Sequence, residues 1–149
     1  MKTSYSIAIV DDDRDSHIFL KLNIQRLNPA HTCLSYYDAR SFVLYLSEKG
    51  GSQQPLPDFI ILDLSMPEMD GYDVLKVIKG NSLFKDIKVF VLTSGQYEYD
   101  RIKSIAYGCT NYYMKPMNSE DFNTIIEDMF KQVQNPSLET TVLKEENKY

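Results

Sequence analysis

The sequence predicts an α/β domain, a doubly wound parallel sheet with helices on both faces. Two observations point to it. Short unbroken apolar runs alternate with stretches whose apolar residues recur at helical spacing, the pattern of strands buried on both faces and joined by crossover helices. Four apolar runs also end on a chemically distinctive polar residue. Asp11-Asp12-Asp13 follow Ile7-Ala8-Ile9-Val10, Asp63 follows Phe59-Ile60-Ile61-Leu62, Thr93 follows Val89-Phe90-Val91-Leu92, and Lys115 follows Tyr112-Tyr113-Met114. Open parallel sheets bind ligands at the carboxyl ends of their strands, so these side chains are expected at one rim.

The first helix is expected from near Asp15, carrying Ile18, Leu20, Leu22, Ile24 and Leu27 and stopping before Pro29. A second strand from Cys33 to Tyr37 meets Asp38, placed to cap a helix in which Ala39, Phe42, Val43 and Leu46 form one stripe. Gly50 to Pro57 is rich in breakers and reads as an exposed loop. After Asp63, Met66-Pro67-Glu68-Met69-Asp70-Gly71 makes a turn-rich connection to a helix burying Val74, Leu75 and Ile78. Thr93-Ser94-Gly95 ends the fourth strand, and Ile102, Ile105 and Ala106 mark a helix closed by Gly108. Asn118 can cap the last helix, in which Phe122, Ile125, Ile126 and Met129 share a face, and the polar stretch beyond Pro136 is expected to be a tail.

A length of 149 residues suits one domain. Its net charge of −5 argues against a nucleic-acid surface, which needs clustered Lys and Arg. Neither an apolar run of spanning length nor a secretory leader is present, so no membrane role is expected and the cytoplasm is the expected compartment. Cys33 and Cys109 lie in apolar stretches and read as buried free thiols.

Three adjacent carboxylates repel one another unless a cation offsets them, so the first strand end points to a metal. Magnesium takes one or two carboxylates plus phosphate and water oxygens. Asp63, after a run of large apolar residues, could be a metal ligand, a general base or a nucleophile, and the Ser65 carbonyl could add a hard oxygen ligand. Thr93 and Lys115 at the same rim add a hydroxyl and an ammonium, groups that suit a phosphoryl group. His17 reads as a solvated helix residue, and Tyr97 and Tyr99 as candidates for a partner surface.

From Ser6 to Lys131 the chain resembles the receiver domains of two-component response regulators. The resemblance rests on Val10-Asp11-Asp12, Ile61 to Gly71, Val91-Leu92-Thr93-Ser94 and Tyr112-Tyr113-Met114-Lys115-Pro116, together with the intervals between them. It implies a flavodoxin-like sheet of order 2-1-3-4-5, with residues 1–131 as the receiver and 132–149 as a polar tail too short for an effector domain. It implies that Asp63 takes a phosphoryl group from a histidine kinase or phosphotransfer protein. Magnesium would be held by Asp12 directly, Asp11 mainly through water, Asp63, and the Ser65 backbone carbonyl. Thr93 and Ser94 would meet the phosphoryl group, Lys115 would pair with it, and Tyr112 would turn inward when Thr93 moves. A cis bond is implied at Lys115-Pro116. The domain would be a signalling phosphoacceptor, supporting its own phosphorylation and dephosphorylation, rather than an enzyme. It would act through a protein partner or self-association at the fourth helix, fifth strand and fifth helix. The rival is a haloacid-dehalogenase-like phosphatase using Asp11 and Asp13, but that leaves Asp63 and its Met-Pro setting unexplained and puts Asp15 where the family has Thr or Val.

Overall fold

Strands that are apolar on both sides must be covered on both sides, and this sets the layers. The computed structural model describes residues 2–50, 55–95 and 98–135. Among them β1 (Ser6–Val10), β2 (Thr32–Tyr36), β3 (Phe59–Leu62), β4 (Lys88–Thr93) and β5 (Asn111–Met114) alternate with α1 (Arg14–Leu27), α2 (Ala39–Gly50), α3 (Gly71–Lys79), α4 (Glu98–Ala106) and α5 (Ser119–Gln134). The strands pair in parallel in the order β2-β1-β3-β4-β5, as expected. Alternation along each strand sends Ala8, Val10, Ile60, Leu62, Val89 and Val91 into a core shared with α2 and α3. Ile7, Ile9, Phe59, Ile61, Phe90 and Leu92 face the other way, against α1 and α5.

The chain leaves β1 for β2 on one side and continues to β3 on the other, so a crevice opens between the ends of β1 and β3. Backbone pairing runs one residue past the strand ends there. Asp11 N–H donates to Tyr36 O (3.0 Å), Asp63 N–H to Val10 O (2.9 Å) and Lys115 N–H to Thr93 O (2.8 Å). Side-chain caps then turn the chain away from the rim. Asp13 caps α1 through Asp15 N–H, Asp70 caps α3 through Asp73 N–H, and Asn118 caps α5 through Asp121 N–H. Asp38 accepts from Ser41 N–H at the start of α2, and Gly108 takes the left-handed conformation after α4 (φ 98°).

Two helix faces differ from the sequence reading. On α1, Ile18 (61% exposed), Leu22 and Leu27 face outward, while Ser16, His17, Leu20, Asn23 and Ile24 are buried. Apolar residues occur all round this helix, so spacing alone does not select the face that packs under α5 and β2. On α4, Ile102 and Ala106 are exposed and Ile105 is half-buried; the buried position is Ser104, whose hydroxyl donates to Asp100 O and is thereby satisfied.

Among the described residues no peptide bond is cis. Lys115–Pro116 is therefore trans, the lower-energy isomer of an X–Pro bond, rather than the cis bond the resemblance implied. α5 runs to Gln134, so the expected boundary after Lys131 falls within its last turn. Residues 51–54 of the expected loop, Tyr97, and the expected tail from Pro136 onward lie outside the described residues. Both cysteines are free thiols, Cys109 buried and Cys33 half-buried.

Candidate functional site

The strand ends bring the acidic cluster, Asp63, Thr93 and Lys115 together. Lys115 Nζ lies 2.8 Å from Asp11 Oδ2 and 3.3 Å from Asp63 Oδ2, and both carboxylates are buried. Asp11 Oδ1 accepts from Asp13 N–H (2.8 Å) and Asp63 Oδ1 from Ser65 N–H (3.3 Å). Asp12 is exposed at the mouth, and one carboxylate oxygen from each of Asp11, Asp12 and Asp63 lies within 4.8 Å of the others. Hard, negatively charged oxygens at this spacing can converge on one divalent cation.

The electrostatics favour a cation. Burial pushes the Asp11 carboxyl up to about 6, and the nearby Asp63 charge adds to this against the opposing bonds from Lys115 and Asp13 N–H. Burial also pulls the Lys115 ammonium down, but its bonds and charge pairing with Asp11 and Asp63 outweigh that and raise it. Three carboxylates face one ammonium, leaving surplus negative charge that a divalent ion would neutralise.

Thr93 is buried beside this cluster, and its hydroxyl has no hydrogen-bond partner among the described residues. A buried hydroxyl without a partner is costly, and an acceptor oxygen arriving in the crevice would relieve it. Ser94 is exposed beyond it. Tyr112 is half-buried on β5, and its hydroxyl donates to Gly95 O (2.8 Å), tying β5 to the segment that follows Thr93. Asp13 is engaged elsewhere. Its carboxylate accepts from Asp15 N–H and Ser16 Oγ–H as the α1 cap; desolvation pushes its pKa up, but these bonds together outweigh that and hold it below the usual range. With Asp13 spent on the α1 cap and Lys115 pairing Asp11 with Asp63 instead, the phosphatase reading through Asp11 and Asp13 is not favoured.

His17 is where sequence reasoning fell short. It is buried, not solvated, with Nε2 2.8 Å from Asp11 O and Nδ1 3.2 Å from Ser35 Oγ. Burial holds its pKa below the ordinary value. Its partner Ser35 belongs to a strand that the sequence does not place beside α1, so no local pattern signals the contact.

Comparison with known proteins agrees with this geometry. The family model for the response regulator receiver domain matches residues 7–127. The response regulator Rcp1 of Synechocystis sp. is 30% identical over 129 residues, covering 86% of this chain and 83% of that protein. A crystal structure of the Mn(2+)-bound form of response regulator Rcp1 superposes with a TM-score of 0.76 at 27% identity, covering 85% of this chain and 92% of that one. The phosphorylated cyanobacterial phytochrome response regulator RcpA gives a TM-score of 0.80 over 90% of this chain and 96% of that one; at 24% identity this likeness speaks to the fold alone.

Proposed function

The chain belongs to the response regulator receiver domain family, and from that premise we propose that Asp63 accepts a phosphoryl group from a phosphohistidine on a histidine kinase or phosphotransfer protein. The observation that carries this reading is the Lys115 ammonium between Asp11 and Asp63, with the unpartnered Thr93 hydroxyl buried beside them. In the transfer an Asp63 carboxylate oxygen bonds to phosphorus as the N–P bond breaks. The departing imidazole keeps the electron pair and takes up a proton. Magnesium, held by Asp12, Asp63, Asp11 and the Ser65 carbonyl, would supply positive charge against the phosphoryl oxygens. Lys115 then shifts its pairing toward the new dianion, and Thr93 donates its hydroxyl to a phosphoryl oxygen, with Ser94 at the outer edge.

The Thr93 bond exists only in the phosphorylated state, so it biases a two-state equilibrium. Movement of Thr93 would reach the surface through Tyr112, whose hydroxyl already grips Gly95 O. The output surface is α4, β5 and α5, where Tyr99, Ile102 and Met114 are exposed, and it serves a protein partner or a second copy. Water attack on the aspartyl phosphate resets the domain, which works as a signalling phosphoacceptor. No helix among the described residues is long and apolar enough to cross a membrane, and we place the domain in the cytoplasm with its phosphodonor.

Acetyl phosphate and magnesium should add one labile phosphoryl group by intact mass, and Asp63→Asn should abolish it. Label retained in Asp63→Asn would sink the assignment. With beryllofluoride in place of phosphate, amide exchange should slow over residues 98–118 as well as around Asp11 and Asp63. A change confined to the latter would leave a relay role without the switch.

A further inference from the structure

We propose that His17 is a positioning residue for the cation site, fixing the peptide between Asp11 and Asp12 and so setting how tightly the acidic loop holds a divalent ion. This rests on the phosphoacceptor reading above.

Each polar group of Asp11 has its own partner. Its N–H donates to Tyr36 O, Oδ1 accepts from Asp13 N–H, Oδ2 pairs with Lys115, and its carbonyl oxygen accepts from His17. Of these, the last acts directly on the carbonyl of the peptide that joins Asp11 to Asp12, while the Oδ1 bond to Asp13 N–H closes a turn around it. Asp12 differs from Asp11 in that it is exposed, so the peptide before it sets where its side chain leaves the backbone.

The strut behind that peptide is rigid. His17 is 1% exposed, and its ring lies against Tyr37 with centroids 4.3 Å apart. A carbonyl oxygen can only accept, so Nε2 carries the proton, and Nδ1 on the far side of the ring lies 3.2 Å from Ser35 Oγ. The imidazole therefore ties the acidic loop to β2, which is the role an outer partner plays when it orients a ligand it does not itself replace.

The test is calorimetric titration of magnesium into the full chain. His17→Phe keeps a ring of similar size and removes the donor, and it should weaken magnesium binding about tenfold, as loss of outer partners does. His17→Gln returns an N–H to the carbonyl and should bind within about threefold of wild type, whereas a residue needed only to fill space would be better replaced by Phe. Asp12→Ala and Asp63→Asn mark the site itself. If neither weakens binding, the reading of the site fails. If they weaken it while His17→Phe binds like wild type, or if His17→Gln binds as poorly as His17→Phe, the positioning role is overturned and the site stands. Should His17→Phe fail to fold by circular dichroism, Ser35→Ala decides. It frees the far side of the ring and should weaken binding about tenfold, as loss of an outer partner does, and binding within about threefold of wild type overturns the proposal.

Discussion

α3 and α4 are both nine residues long and lie on neighbouring crossovers, yet they are held by different forces. α3 drives Val74, Leu75 and Ile78 completely into the core and is capped by Asp70. α4 buries Ser104 and leaves Tyr99 and Ile102 69% and 57% exposed. Beyond the half-buried Ile105 that packs against the core, its ties to α3 are polar: Tyr72 of α3 donates to Asp100, and Lys103 lies 4.1 Å from the centroid of the Tyr72 ring. Polar contacts at a surface exchange for water at small net cost, whereas apolar burial does not. The difference gives the domain a wall fixed by apolar burial after Asp63 and a more lightly anchored one after Thr93.

The largest effect should come from breaking the fixed wall. Leu75→Ala leaves a cavity where the side chain was fully buried and should lower the unfolding free energy by about 3 kcal/mol in urea titration. A loss no larger than that expected for an exposed α4 residue would erase the contrast.

Gly71→Ala tests the same wall where it touches the site. A Cβ there would fall 2.4 Å from Asp63 O and 2.6 Å from Leu64 Cα, backbone atoms that have no side-chain freedom to yield. Gly71 N–H also donates to Leu64 O, so α3 begins in direct contact with the segment following the proposed phosphoacceptor. The expected cost is about 2 kcal/mol, together with slower phosphorylation by acetyl phosphate as the Asp63 backbone shifts. Wild-type stability and rate would show that this approach is looser than the geometry implies.

The same contrast explains what could be read from the sequence. Central strands and α3 were legible because burial on both faces, or on one clean stripe, leaves unbroken or periodic apolar letters, as in Phe59 to Leu62 and Val74-Leu75-Ile78. The rim was legible because its polar residues stand at or just past strand ends, Asp11 after β1, Asp63 after β3, Thr93 closing β4 and Lys115 after β5. The faces of α1 and α4 were not. Polar residues can be buried when a distant partner satisfies them, as Ser35 and Asp11 O do for His17, and sequence periodicity carries no record of that partner. The isomer of Lys115–Pro116 is likewise a property of tertiary context rather than of the dipeptide.

A smaller effect should loosen α4 alone. Tyr72→Phe removes the bond to Asp100 and keeps the ring, which should cost about 1 kcal/mol. Amide exchange should quicken over residues 98–106 and stay unchanged over 71–79. Equal acceleration in both helices would mean that they open as one unit and that the polar hold is not what separates them.

The smallest expected change in stability belongs to Ile102, and it is the sharpest test of what the loose helix is for. With 57% of its surface exposed, Ile102 contributes little to the core, and Ile102→Ser should alter the unfolding free energy by no more than about 0.5 kcal/mol. Magnesium binding and phosphorylation at Asp63 should also be unchanged, because Ile102 is not among the residues that form the rim. If the exposed Tyr99, Ile102 and Met114 form the output surface, however, the substitution should reduce beryllofluoride-dependent association, whether with a partner or a second copy, measured by sedimentation or calorimetry. Unchanged association would move the output elsewhere and leave the weak hold on α4 without a signalling role. Loss of stability on the scale of Leu75→Ala would instead show that α4 is anchored through its apolar face, removing the distinction between the two helices.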